Sequence, residues 1–152
     1  MTITTPSHQA AARRPGRRRS GNALLDMALV MPLLIGLTFG AVEYGYAMYI
    51  KHSLQSAARE GARAAIVSGA TVSSVQQAVD DSMAAAGFPT DKYTRPVQIE
   101  PGDWRTAAAG QTIKVTVQTT WGTAGVNALP TYLGGIGPSK TLSGATTMRK
   151  EG

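Results

Sequence analysis

Cysteine is absent from the 152 residues. That excludes disulfides, thiolate metal sites and cysteine nucleophiles, and fits a reducing or an oxidising compartment equally. Histidine is scarce. Neither His8 nor His52 has Asp, Glu or Cys at ligand spacing, so no metal centre is expected. Gly-x-Ser-x-Gly and His-Glu-x-x-His do not occur. Gly134-Gly135-Ile136-Gly137-Pro138-Ser139-Lys140-Thr141 is not read as a phosphate loop, because Ser139 stands where that motif requires glycine and no strand-to-helix context surrounds it. The expectation is a protein that is not an enzyme and binds no cofactor.

Acidic residues are missing from the first 25 positions, which hold Arg13, Arg14, Arg17, Arg18 and Arg19. The whole chain has 15 basic and 9 acidic residues, a formal charge of +6; without those five arginines the balance is ten to nine. The basic excess is a property of the N-terminal tail. Nucleic-acid binding wants basic residues interleaved with aromatics on a folded face. The sequence offers no such face, and no nucleic-acid partner is expected. Residues 1–21 lack an apolar period and read as a disordered basic leader.

Charge of either sign is missing from Met27 to Val42. Those sixteen residues span roughly 24 Å at the helical rise, and the aromatic run to Ile50 carries the helix past the ~30 Å of a bilayer core. Residues 22–50 are therefore expected to form one transmembrane helix. The preceding arginines place the N-terminus in the cytoplasm and the C-terminal part outside. Pro32 lacks an N–H and clashes with the preceding turn, predicting local loosening near Ala28–Pro32. Gly36 and Gly40 form a small-xxx-small pair that would admit a second helix closely. Tyr44, Tyr46 and Tyr49, with Lys51 next, predict an interfacial aromatic belt and a cationic stop. Glu43 lies nineteen residues beyond Leu24, roughly 29 Å along the helix. It is expected to be hydrated beside that belt rather than held at mid-membrane.

The segment Gly21-Asn22-Ala23-Leu24-Leu25-Asp26-Met27-Ala28-Leu29-Val30-Met31-Pro32 resembles the start of TadE-like pseudopilins, minor components of the tight-adherence (Flp) branch of type IV pili. Phe39-Gly40-Ala41-Val42-Glu43-Tyr44-Gly45 and Ala57-Ala58-Arg59-Glu60-Gly61-Ala62-Arg63-Ala64-Ala65 continue the resemblance, which covers Arg19 to Ser68. It implies a prepilin-peptidase cut between Gly21 and Asn22, an acid at the fifth mature position, and a pilin-like fold. Asp26 stands where the family usually has Glu, one methylene longer. By the same resemblance, Asp26 would pair with the amine of a neighbouring subunit's Asn22 and set the register between subunits. The alternative is that Asp26 meets only the dipole at the helix N-terminus.

Beyond the membrane segment, Leu54, Ala57, Ala58, Gly61, Ala62, Ala65 and Ile66 recur at three and four residues, so one helix is expected from Asn22 to Val67. Glu60 and Arg63 are i,i+3 partners on its outer face. Thr71 can cap a second helix with Val72, Val75, Val79 and Met83 on one face, ended by Gly87 and Pro89. Gln76, Gln77, Asp80 and Asp81 read as its wet face. Arg95–Glu100 and Thr112–Trp121 alternate as strands, the second with Ile113, Val115, Val117 and Thr119 inward. Gly122–Ser139 is a Gly- and Pro-rich loop with one helical turn around Val126–Leu133. Thr141–Arg149 is a last strand with Leu142, Gly144, Thr146 and Met148 on one face. The fold class is α+β, a long helix on a small antiparallel sheet of three strands, with residues 51–152 as an extracytoplasmic domain.

Three readings of function stay open. The first is a minor pilin-like subunit of a Tad/Flp-type pilus in the bacterial inner membrane, with prepilin peptidase, other pilin-like subunits, the assembly machinery and the lipid bilayer as partners. The second is an uncleaved single-pass anchor with a partner-binding outer domain. The third is a secreted globular protein with a long signal peptide.

Overall fold

The computed structural model describes residues 20–151, with side chains from Ala23 onward. Residues 1–19 of the expected disordered leader fall outside the described residues; its last two, Ser20 and Gly21, are helical in backbone. The chain forms two compact units, one ending at Leu34 and the other beginning at Ile35.

In the first unit, α1 (Ser20–Ile66) begins. Every side chain from Ala23 to Leu34 is exposed, and the helix continues through Pro32 without interruption. The helix is long and apolar enough to cross a membrane, with a mean hydropathy of 2.0 in its most apolar window and none of that window buried.

The second unit contains the rest of α1, α2 (Val72–Ala85), a three-stranded sheet of β1 (Gln98–Glu100), β2 (Thr112–Thr120) and β3 (Thr141–Arg149), and the short α3 (Trp121–Ala124). The sheet is antiparallel with order β1-β2-β3. Gln98 faces Thr116, and β2 and β3 pair over nine positions from Thr112↔Arg149 to Thr120↔Thr141. The α+β architecture expected from the sequence is the observed one.

The core lies where the stripe of α1 meets the inward face of β2. Ala47, Ile50, Leu54, Ala57, Ala58, Ala62 and Ala65 are buried with Ile113, Val115 and Val117, and α2 adds Val75, Val79 and Met83. Small residues in the stripe let the sheet approach the helix axis. Gln55 ties β3 to the helix: its Nε2 donates to the Ala145 carbonyl at 2.8 Å and its Oε1 accepts from the Ala145 N–H at 3.3 Å.

α2 starts at a capping box, where the Thr71 hydroxyl accepts from Ser74 N and the Ser74 hydroxyl accepts from Thr71 N. Val72 is exposed rather than inward, because it stands in the first turn, ahead of the packed face. β1 is shorter than the expected Arg95–Glu100. Pro96 has no N–H, and the Val97 N–H is already taken by Gln76 Oε1 at 3.0 Å, so the ladder begins at Gln98. The turn expected at Val126–Leu133 resolves into α3 upstream and a 3-10 turn at Thr131–Leu133. The Glu60–Arg63 pair is present at 4.0 Å between exposed groups and contributes little.

Candidate assembly and membrane-interface site

The expected processing and assembly residues lie in the part of α1 that belongs to the first unit. Gly21 and Asn22 are helical in backbone, and their side chains lie outside the described residues. Asp26 is exposed. In the uncut chain α1 begins at Ser20, which puts Asp26 beyond the first turn, and no acid stands in that turn. The attraction of a helix dipole for an acid fades within one turn, so the dipole alternative has little purchase on Asp26 until the chain is shortened.

Gly36 and Gly40 differ. A Cβ at Gly36 would meet nothing within 4 Å, whereas one at Gly40 would lie 3.8 Å from Leu129 Cδ1. The chain's own loop therefore borders Gly40, and Gly36 remains open.

That loop is organised by Glu43. Its side chain is only 2% exposed. Oε2 accepts from Leu129 N–H at 2.9 Å and Oε1 from Ile136 N–H at 2.7 Å. Both oxygens of one carboxylate thus clasp the two ends of an eight-residue loop. The loop brings those amides together by turning back on itself. Pro130 opens the 3-10 turn, its carbonyl accepts from Leu133 N and Gly135 N, and Gly134 closes it in the left-handed region at φ +90°. The hydrated Glu43 expected from the sequence is corrected. The carboxylate is dry, and main-chain donors replace water, which is how a buried charge is tolerated.

The tyrosines do not form one belt. Tyr44 is 62% exposed and borders Gly134 and Ile136 of the loop. Tyr46 stacks edge-on against Trp121 with ring centres 6.3 Å apart, and Tyr49 lies 5.6 Å from Phe88 while its hydroxyl donates to the Ala86 carbonyl at 2.6 Å. Residues 46 and 49 share a helix face and 44 does not. Ala47 and Ile50 also belong to the domain core. Within the expected membrane segment, Ala23–Val42 is the stretch with no buried side chain. Its twenty residues span about 30 Å, the thickness of a bilayer core.

A second polar cluster was missed in the sequence. Asp80 Oδ1 accepts from Gln76 Nε2 and from the Tyr93 hydroxyl, each at 2.6 Å, and Oδ2 accepts from Arg95 at 2.6 Å. Asp80 and Gln76 therefore hold the segment after α2 rather than forming a wet face. Burial above all, then the Asp80 hydrogen bond and the Asp80 charge, push the Tyr93 phenol well above its usual value of 10.0, against an opposing pull from Arg95. The folded chain holds that proton more tightly than the unfolded one. The associated stability is complete below about pH 10 and is lost as pH rises through the folded value. Tyr93→Phe is expected to flatten the loss of stability between about pH 9 and pH 11. Urea midpoints of both proteins across that range check it, and identical slopes would refute it.

Among the described residues, no group of three or more His, Cys, Asp or Glu is placed to hold a metal ion.

The family model described as TadE-like protein matches residues 21–63. The match coincides with the resemblance read over Arg19–Ser68 and includes Gly21, Asp26 and Glu43. No curated protein and no solved structure matches the chain.

Proposed function

From the TadE-like match over residues 21–63, we propose that this chain is a minor pilin-like subunit of a Tad/Flp-type pilus. Its role is structural rather than catalytic. Prepilin peptidase cuts it between Gly21 and Asn22, and the mature subunit rests in the inner membrane with its N-terminus inside. The domain stands outside, where it meets other pilin-like subunits and the assembly machinery. The family match carries this reading. Beside it stand a helix exposed over about 30 Å, a basic leader, and an acid five residues after the glycine.

The cut requires a residue without a side chain just ahead of the membrane helix. Gly16 is followed by three more arginines, which leaves Gly21. Gly21→Val is expected to accumulate a precursor about 2 kDa heavier, since the chain's 15.9 kDa over 152 residues gives 21 residues that mass. Intact mass of the membrane fraction reads it. Normal maturation of the variant would rule out the site, and an unshortened wild-type chain would favour the uncleaved anchor.

After the cut, Asp26 lies one turn from the new amine of Asn22, at the edge of hydrocarbon. A lone carboxylate there is unfavourable unless paired or neutralised. Asp26→Ala is expected to insert and mature normally but to reduce recovery with the pilus machinery several-fold, while Asp26→Glu is tolerated. Equal co-purification of wild type and Asp26→Ala would leave Asp26 no role between subunits.

A further inference from the structure

Two adjoining clefts, of about 240 and 520 Å³, run along α1 and share Tyr44, Gly134 and Ile136 as walls. Together they make a groove between the helix and the clasped loop, from Gly40 to Lys51. Twelve residues of helix make it roughly 18 Å long.

The groove changes character along its length. At the Gly40 end it opens beside Leu129. At the other end stand Lys51 and Lys140. Both lysines are exposed, and among the described residues neither has a carboxylate within ion-pair distance. Between the ends the walls are Ala47, Met48, Ile136 and Leu142. The one acid in the groove is Glu43, and both of its oxygens are occupied by the Leu129 and Ile136 amides. It is buried, and neither lysine lies within ion-pair distance of it.

An apolar floor with two cations at one end, unpaired among the described residues, has the polarity of a single amphiphile with an anionic head. We propose that this groove holds one anionic phospholipid of the surrounding membrane. An acyl chain lies against Ala47, Met48 and Leu142, and the phosphate sits between Lys51 and Lys140. Lysine attracts phosphate as a point charge without needing a fixed geometry, which suits a headgroup that stays partly hydrated. The Glu43 clasp builds the site by holding the outer wall in place. The inference depends on α1 crossing a bilayer. It does not depend on cleavage or pilus assembly, so its failure would leave the Gly21 test untouched.

Native mass spectrometry of the full chain released from neutral detergent tests it, with added phosphatidylglycerol or phosphatidylcholine of matched acyl chains as probes. Wild type is expected to retain one phosphatidylglycerol per chain in preference to phosphatidylcholine. Lys51→Gln with Lys140→Gln should weaken retention about tenfold or more, from the attraction each lysine has for an anionic lipid surface. Both proteins carry the same N-terminal arginines, so the difference between them reads the groove and not the leader. Met48→Trp fills the apolar part while leaving both lysines, and should also lower retention. If that variant melts early by circular dichroism, the exposed lysine pair still decides the matter. Equal retention of the two lipids, retention unchanged in the lysine variant, or paired chains that exclude lipid would each overturn the proposal, the last in favour of a second copy in the groove.

Discussion

Glu43→Ala is expected to free the loop from Leu129 to Ile136 and to cost the domain about 2–4 kcal/mol. A hydrogen bond to a charged group contributes about 1.5–3 kcal/mol, and a buried donor stranded without its acceptor loses its desolvation energy as well. Here two amides are stranded at once. The loss is capped by the loop's ability to swing open and let water reach them. Hydrogen exchange at the Leu129 and Ile136 amides should therefore accelerate by about 100-fold, the equivalent of roughly 3 kcal/mol, before global unfolding is much affected. Glu43→Gln should do nearly as much harm. Both partners are N–H donors, and an amide side chain offers them one oxygen and one opposing NH₂ group. Wild-type exchange at the two amides in Glu43→Ala would refute the clasp.

Gly144→Val is expected to be the most damaging single change, at about 3 kcal/mol or more. A Cβ at Gly144 would run into the main chain of Leu54 and Gln55. A helix backbone cannot rotate aside as a side chain can. Overpacking against movable side chains already costs about 1–3 kcal/mol, and here nothing nearby can yield. β3 cannot shift along its neighbour either, because nine pairings with β2 and the Gln55 hydrogen bonds fix its register. The strand must lift from the helix and open the core around Leu54. Urea unfolding followed by tryptophan fluorescence should show a lowered midpoint, with Gly144→Ala affected in the same direction but less. A wild-type midpoint for Gly144→Val would show that the contact is not as close as the structure has it.

The architecture was largely legible because its signals are local. The alternation of Ile113, Val115, Val117 and Thr119 became the buried face of β2 residue for residue, and the three-and-four spacing from Leu54 to Ala65 became the core stripe of α1. α1 ends at Ile66, one residue before the expected end. The polar centres were not legible. Glu43 meets partners 86 and 93 positions away, and both partners are backbone amides, which no residue type announces. In the sequence, a carboxylate at the rim of an apolar run reads as hydrated; it took the folded loop to dry it. Asp80 was misread for a related reason. On a helical wheel it shares a face with Gln77 and Asp81, which stay exposed, and only the return of the chain through Tyr93 and Arg95 covers Asp80. The cause of the short β1 is equally non-local, since Gln76 takes the Val97 amide from another element.

The contact of β3 with α1 also dictates a sequence of events in time. Gln55 and Ala145 are 90 residues apart, and the strand that supplies Ala145 is the last one of the sheet to be synthesised. Until Thr141–Arg149 is available, β2 has only the three-residue β1 beside it, and the small-residue stripe of α1 has no β3 over it. Contacts so far apart must close a long loop before they return any energy. α1 is therefore made well ahead of the strand that completes its domain. The domain completes its fold only once Thr141–Arg149 has been made, and until then most of its core is held by local contacts alone.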